Sequence, residues 1–152
     1  MKTKKLSKET NTSEEAYWTQ RYQEALTGWD VGAATTPMTE YADQLKDKSL
    51  RILIPGAGNA YEAEYLHKRG FSNVHILDVS EIPLENFKQR NPSFPEAHIH
   101  HQNFFKHKGT YDLILEQTFF CSFEPDQMTR VKYATKMASL LAPTGKLAGV
   151  LF

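Results

Sequence analysis

The chain contains a single cysteine in 152 residues. No internal disulfide can brace it, and a reducing cytoplasm is the simplest setting to expect. It has no excess of charge, since 18 Lys and Arg balance 18 Asp and Glu. A nucleic-acid or membrane-surface binder is expected to carry a basic footprint, so neither partner is expected here. There is no apolar run near the roughly 18 residues of a membrane-spanning helix. The opening "MKTKKLSKETNTS" has lysines but no apolar segment after them, which does not fit a secretory signal. Any G-K-[ST] sequence is also missing, which excludes a Walker phosphate loop. The remainder is 40% hydrophobic and 24% charged, the composition of one ordinary globular domain.

Periodicity organises the chain. Residues 1–12 are polar and Lys-rich and read as a disordered tail. Thr12 with Glu15 makes a capping-box pattern, and Trp18, Tyr22 and Leu26 follow at helical spacing. "TGWDVG" breaks that helix. A second helix is expected in "TTPMTEYADQL", with Thr36 as cap, Pro37 in first position and an apolar stripe of Met38, Tyr41 and Leu45. From Leu50 onward, short apolar runs alternate with helical patterns. Strands are expected in "LRILIP", "NVHILDVS", "AHIHHQNFF", "YDLILEQ" and "KLAGVLF". The intervening helices are "NAYEAEYLHKRG" (capped by Asn59, with Glu62 completing a capping box), "SEIPLENFKQR" (capped by Ser80) and "DQMTRVKYATKMASLL". The last should bury Met128, Val131, Ala134, Met137 and Leu141 and end at Pro143–Gly145. Alternating strands and helices imply an α/β fold with a parallel sheet.

In such sheets ligands bind beyond the carboxyl ends of the strands. There lies the loop of "ILIPGAGNAYE", where Gly56 permits a tight turn and Gly58 lets backbone approach a ligand. Asp78 ends the second strand about 20 residues on, the spacing at which an acid accepts both ribose hydroxyls. The dinucleotide fingerprint requires a third small residue, but Tyr61 stands there, and Glu62 would repel a pyrophosphate at the helix start. A nicotinamide oxidoreductase is therefore the weaker reading. A ligand with ribose and no phosphate fits better, and S-adenosylmethionine is such a ligand.

"GWDVG", "IPGAGNAYEAEYL", "LDVS", "NFF" and "YDLILEQTFFCSFEP" together resemble the thiopurine S-methyltransferase family, which includes thiol and halide methyltransferases. The resemblance runs from about residue 17 to 152. It implies a Rossmann-like class I methyltransferase fold of about five parallel strands with flanking helices. It divides residues 13–152 into an N-terminal helical cap (13–48) and a core (49–152). It further implies S-adenosylmethionine as cofactor and a small soft nucleophile (a thiol, a thiopurine, or halide or thiocyanate) as acceptor. Carried over by position, Trp18 and Trp29 would pack on the cofactor, with Tyr22 beside them. Gly56 and Gly58 would approach its methionyl end, Asp78 its ribose, and Asn103 and Phe104 its adenine. Gln117 would lie at the cofactor-facing end of the fourth strand, and Glu116 and Gln117 are the acceptor-side candidates.

Two departures accompany the resemblance. Asn103 replaces an acid usual before "FF", and the family's last two strands are missing after Phe152, which would leave the fifth strand an exposed edge open to self-association. The alternative function is a C-terminally shortened, non-catalytic S-adenosylmethionine-binding module. No metal is expected: in "HIHH", His98 and His100 share a strand face, His101 points away, and no ligand set has standard spacing. Cys121 is expected to pack as a small apolar residue, since no neighbour in sequence would activate it.

Overall fold

The apolar runs form strands because period-two alternation lets each face two cores at once, except that in "AHIHHQNFF" only Ile99–His101 is extended and 3-10 turns take up much of the rest. The structure, a computed structural model, describes residues 15–150. The tail expected over residues 1–12, the Thr12 cap and residues 151–152 lie outside the described residues. In chain order the elements are α1 (Glu15–Gln23), α2 (Thr36–Asp43), β1 (Ile52–Pro55), α3 (Tyr61–Lys68), β2 (Val74–Asp78), α4 (Glu81–Arg90), β3 (Ile99–His101), β4 (Tyr111–Gln117), α5 (Gln127–Leu140) and β5 (Leu141–Val150). Single 3-10 turns occupy Glu96–His98, Phe104–Lys106 and Phe120–Ser122.

The five strands form one parallel sheet in the order β3-β2-β1-β4-β5. Every residue of β1 and β2 is buried, as expected where helices cover both faces. Ile52, Ile54, Ile76, Leu113 and Leu115 point into one core with Leu66 of α3 and Leu84 and Phe87 of α4. Their alternates Leu53, Leu77 and Ile114 point into the other, with Tyr133, Met137 and Leu140 of α5. From β1 the chain runs outward to β2 and β3, then returns to pair β4 on β1's other side. The crevice that results at the carboxyl ends of β1 and β4 is the topological switch point.

Several expectations need correction. The buried stripe of α5 is Tyr133, Met137 and Leu140; Met128 and Val131 are 70% and 57% exposed. Tyr133 turns inward because its ring packs among Phe104, Phe119, Phe120 and Phe123, and that sets the phase of the whole helix. This helix ends at Leu140, and Leu141 already pairs with Tyr111, so Pro143–Gly145 forms an irregularity inside β5 and not the helix stop. The N-cap of α2 is Thr35. That of α3 is Ala60 in the left-handed region (φ +56°), without a side-chain cap, so Glu62 completes no capping box. Asn59 spends its side chain on a tertiary contact instead, and Ser80, which does stand at the N-cap of α4, turns its hydroxyl to one as well. Asn59 donates to Asp30 at 2.5 Å, and the Ser80 hydroxyl bonds that of Thr19 at 2.9 Å. Both bonds tie the N-terminal segment to the core.

Candidate functional site

At the switch point the two glycines of the β1–α3 loop take positive φ, +59° at Gly56 and +57° at Gly58. A side chain is excluded for a second reason at Gly56. A Cβ there would lie 2.8 Å from Cγ and 2.9 Å from Cε1 of Phe119, and closer still to Cδ1. Phe119 belongs to the turn after β4, so the two loops at the switch point close directly on each other. At Gly58 a Cβ would meet the Tyr22 hydroxyl at 2.9 Å. The cap therefore touches the same loop.

Asp78 ends β2 and is 7% exposed. Its Oδ2 accepts from the Gly58 N–H and its Oδ1 from the Ser80 N–H, both at 2.9 Å. These bonds aim the carboxylate and favour its charge, but burial dominates and raises its pKa above the ordinary aspartate value. Each oxygen retains a lone pair for a further donor.

A cavity of about 280 Å³ opens beside this carboxylate. Trp18, Tyr22 and Trp29 wall it from the cap, Gly56, Asp78 and Phe104 from the carboxyl end of β2 and the loops after β1 and β3, and Thr118, Phe119, Cys121 and Phe123 from the turn after β4. The cap aromatics hold one another edge to face, with ring centroids 5.3 Å apart for Trp18–Trp29 and 5.8 Å for Tyr22–Trp29. Burial and the Asp78 charge raise the Tyr22 pKa, so this phenol stays neutral. A smaller polar cleft adjoins the cavity across Trp29, Gly56 and Thr118. Asp30, Thr35, Gly58, Glu62 and Gln117 line it. The Thr35 hydroxyl donates to Gln117 Oε1 at 2.9 Å. Burial raises the Glu62 pKa, while backbone N–H groups of Glu62 and Thr35 counter that shift.

The structure thus brings Trp18, Trp29, Gly56, Asp78 and Phe104 to one cavity and Gly58 and Gln117 to the adjoining cleft. Asn103 lines neither: its Oδ1 accepts from the Phe105 N–H at 2.9 Å and caps a turn, while Gln102 takes the place on the wall. Glu116 lines neither as well. Strand alternation turns it from Gln117's side into full burial, against Tyr133. Cys121 is exposed on the turn and not packed as a small core residue. Burial and the Glu116 charge raise its pKa, so it is not an activated thiol. Asp30, Gln102 and Phe119 were not singled out from the sequence. Asp30 had a readable signal, the acid after the loop tryptophan in "GWD".

No histidine lines the cavity or the cleft. His98 stacks on His75 at 4.0 Å, and His75 Nδ1 lies 3.0 Å from His100 Nε2. His101 contacts the Val79 carbonyl and Glu15. Among the described residues, no three His, Cys, Asp or Glu side chains converge to hold a metal ion. No described helix is long and apolar enough to cross a membrane.

Comparison with known proteins agrees with this geometry. Residues 13–151 match the family model described as Thiopurine S-methyltransferase (TPMT). The chain is 30% identical over 146 residues to thiocyanate methyltransferase 1 of Arabidopsis thaliana, covering 93% of this chain and 63% of the relative. It is 29% identical over 140 residues to probable thiol methyltransferase 2 of the same plant, covering 89% and 61%. The chain therefore spans about three fifths of the length of these relatives. Among solved structures it is similar to a Bacteroides fragilis S-adenosylmethionine-dependent methyltransferase in complex with S-adenosyl-L-homocysteine (TM-score 0.59, 22% identity, 75% of this chain and 46% of the other). It is also similar to magnesium protoporphyrin IX methyltransferase of Synechocystis PCC 6803 with bound S-adenosylmethionine (TM-score 0.66, 13% identity, 84% and 69%). At these identities the likeness is one of fold: the five parallel strands with flanking helices are those of a class I methyltransferase.

Proposed function

The chain belongs to the thiopurine S-methyltransferase family, and from that premise we propose that it binds S-adenosylmethionine in the aromatic cavity and methylates a small soft nucleophile. The acceptor class is a thiol, a thiopurine, or a halide or thiocyanate ion. One observation carries the reading: a buried carboxylate, Asp78, aimed by two backbone N–H groups into the wall of a largely aromatic cavity at the switch point. Nothing in that wall suits a pyrophosphate, whereas a ribose offers two hydroxyl donors to an acid of this kind.

The residues present fit the cofactor. Asp78 accepts from the ribose hydroxyls, and Gln102 and Phe104 border the adenine. Gly56, Gly58 and Gln117 receive the methionyl end in the polar cleft. When bound, S-adenosylmethionine supplies an activated methyl group on a sulfonium. The chain's own task is to position, desolvate and exclude water. Trp18, Tyr22 and Trp29 exclude water from the cap side, and the faces of the two indoles attract a cationic sulfur. Gln117 serves as the acceptor-side polar group. Soft nucleophiles attack well without a general base, and none is assigned.

The same reading has the protein work in the cytoplasm on small molecules, partnered by neither nucleic acid nor membrane. Transfer of labelled methyl from S-adenosylmethionine to a panel of thiols, thiopurines and halides tests it. Turnover with at least one member is expected. Cofactor binding without transfer to any of them would identify a non-catalytic binding module.

A further inference from the structure

We propose that Glu116 is a positioning residue that holds the Thr118–Ser122 turn, and through it the acceptor-side wall of the cavity. This rests on the cavity being the methyl-transfer site. The turn is held under strain. Thr118, a β-branched residue, has φ +55°, a conformation that persists only where its surroundings enforce it. Phe119 is pressed onto Gly56, and Thr118, Phe119, Cys121 and Ser122 all face the cavity. The enforcing contact comes from behind. Glu116 is completely buried, and its Oε1 accepts from the Phe120 N–H and, at 3.4 Å, from the Tyr133 hydroxyl of α5. The Phe120 and Tyr133 rings pack 4.8 Å apart over the same point. Glu116 touches neither cavity, so it acts only through the turn.

Its other oxygen, Oε2, is buried with no partner. A neutral carboxylic acid tolerates that position, whereas a carboxylate leaves a charge there without a donor. Burial accordingly pushes the Glu116 pKa up to about 7. The titratable groups facing it are Tyr133 from α5 and Cys121 from the turn, and both are themselves raised toward neutrality; β5 presents the Gly149 backbone. Raising the pH through 7 therefore ionises the clamp, draws water to Oε2 and loosens the turn.

Amide hydrogen exchange of the 118–122 segment, corrected for the intrinsic rate, reads this directly. Wild type should lose about tenfold of its protection between pH 6 and pH 8, following the neutral fraction of a group with that pKa. Glu116→Gln keeps the acceptor and cannot ionise, so its protection should be as high as wild type at pH 6 and unchanged at pH 8. Glu116→Ala should lack protection at both. If the alanine variant does not fold, the comparison of wild type with glutamine still decides. A flat wild-type profile, or a glutamine variant that follows the wild-type loss, overturns the proposal. Titration of S-adenosylhomocysteine into wild type at pH 6 tests the underlying site reading separately: a pH-dependent turn without ligand binding would refute that reading and not the clamp.

Discussion

Substituting Gly56 by alanine separates the cost of a backbone conformation from the cost of displacing the neighbouring loop. Gly56 and Gly70 both have positive φ, +59° and +87°. Placing a Cβ in such a conformation costs about 1–2 kcal/mol at either position. At Gly70, the stop after α3, a Cβ meets nothing within 4 Å, so Gly70→Ala should carry only that cost. At Gly56 it meets three atoms of the Phe119 ring inside 3 Å. Ordinary carbon contact is near 3.5–4.0 Å, so the ring must move by roughly 1 Å or more. Phe119 is also wedged against Phe104 (5.1 Å) and Phe123 (4.8 Å), which restricts where it can go. Overpacking of this kind adds about 1–3 kcal/mol. Gly56→Ala should therefore destabilise by about 2–5 kcal/mol against about 1–2 for Gly70→Ala. At roughly 2–4 °C per kcal/mol, the two melting temperatures should differ by about 2 °C at least. Because Phe119 walls the cavity, Gly56→Ala should also lose S-adenosylhomocysteine affinity, and Gly70→Ala should not. Thermal unfolding by circular dichroism with calorimetric titration supplies both readings. If the two variants melt alike and bind alike, the closure of Phe119 on Gly56 is not what shapes this site.

Further perturbations follow from the same geometry. In Asp78→Asn, one of two backbone donors must face an amide NH2, and the ribose loses an acceptor. S-adenosylhomocysteine affinity should fall by roughly 10- to 100-fold, the equivalent of about 1–3 kcal/mol for an unmet buried donor, and an unchanged calorimetric Kd would refute the role. Trp29→Ala should weaken the cationic S-adenosylmethionine about 2- to 5-fold more than the neutral S-adenosylhomocysteine, as expected from the loss of an indole face; equal losses would leave only packing. Burial, reinforced by neighbouring charges, lowers the pKa of His75 to about 3 and that of His107 to about 4. Folding thus excludes protons that the unfolded chain binds below about pH 6.5. The stabilising effect is fully present above that pH and is lost as pH falls toward 4 and then 3. Its slope approaches about 1.4 kcal/mol per pH unit for each histidine. Urea unfolding at pH 7.5 and pH 5 should show the loss, and His75→Gln should reduce it; an unaltered slope would show that other groups govern acid stability.

Much of the core was legible because apolar periodicity reports burial directly. The solid runs of β1 and β2 lay inside "LRILIP" and "NVHILDVS", which overran them at the ends, and the limits of β4 are those of "YDLILEQ". Gly56, Gly58 and Asp78 were legible for a different reason: turn chemistry and strand-end acids are local, and the topology then fixes where they meet. What failed depended on partners distant in sequence. The phase of α5 was decided by Tyr133 entering a nest of phenylalanines, which outweighed the Met128–Val131 stripe. Asn59 had the chemistry of a helix cap but found Asp30 across the fold. Glu116 and Gln117 looked equivalent as adjacent polar residues ending a strand, yet alternation sends one into the protein and the other to the cleft. Asn103 leaves its expected place on the wall to Gln102 because the turn after β3 uses the asparagine for its own backbone.

The proposed occupant of the switch-point cavity is an adenosyl ligand without phosphate, held by the buried Asp78 carboxylate. Calorimetric titration of the folded chain with S-adenosylhomocysteine, and in parallel with NAD, tests it most directly. Saturable one-to-one binding of S-adenosylhomocysteine is expected, and none of NAD at the same concentrations. Binding of NAD with no heat from S-adenosylhomocysteine would contradict it.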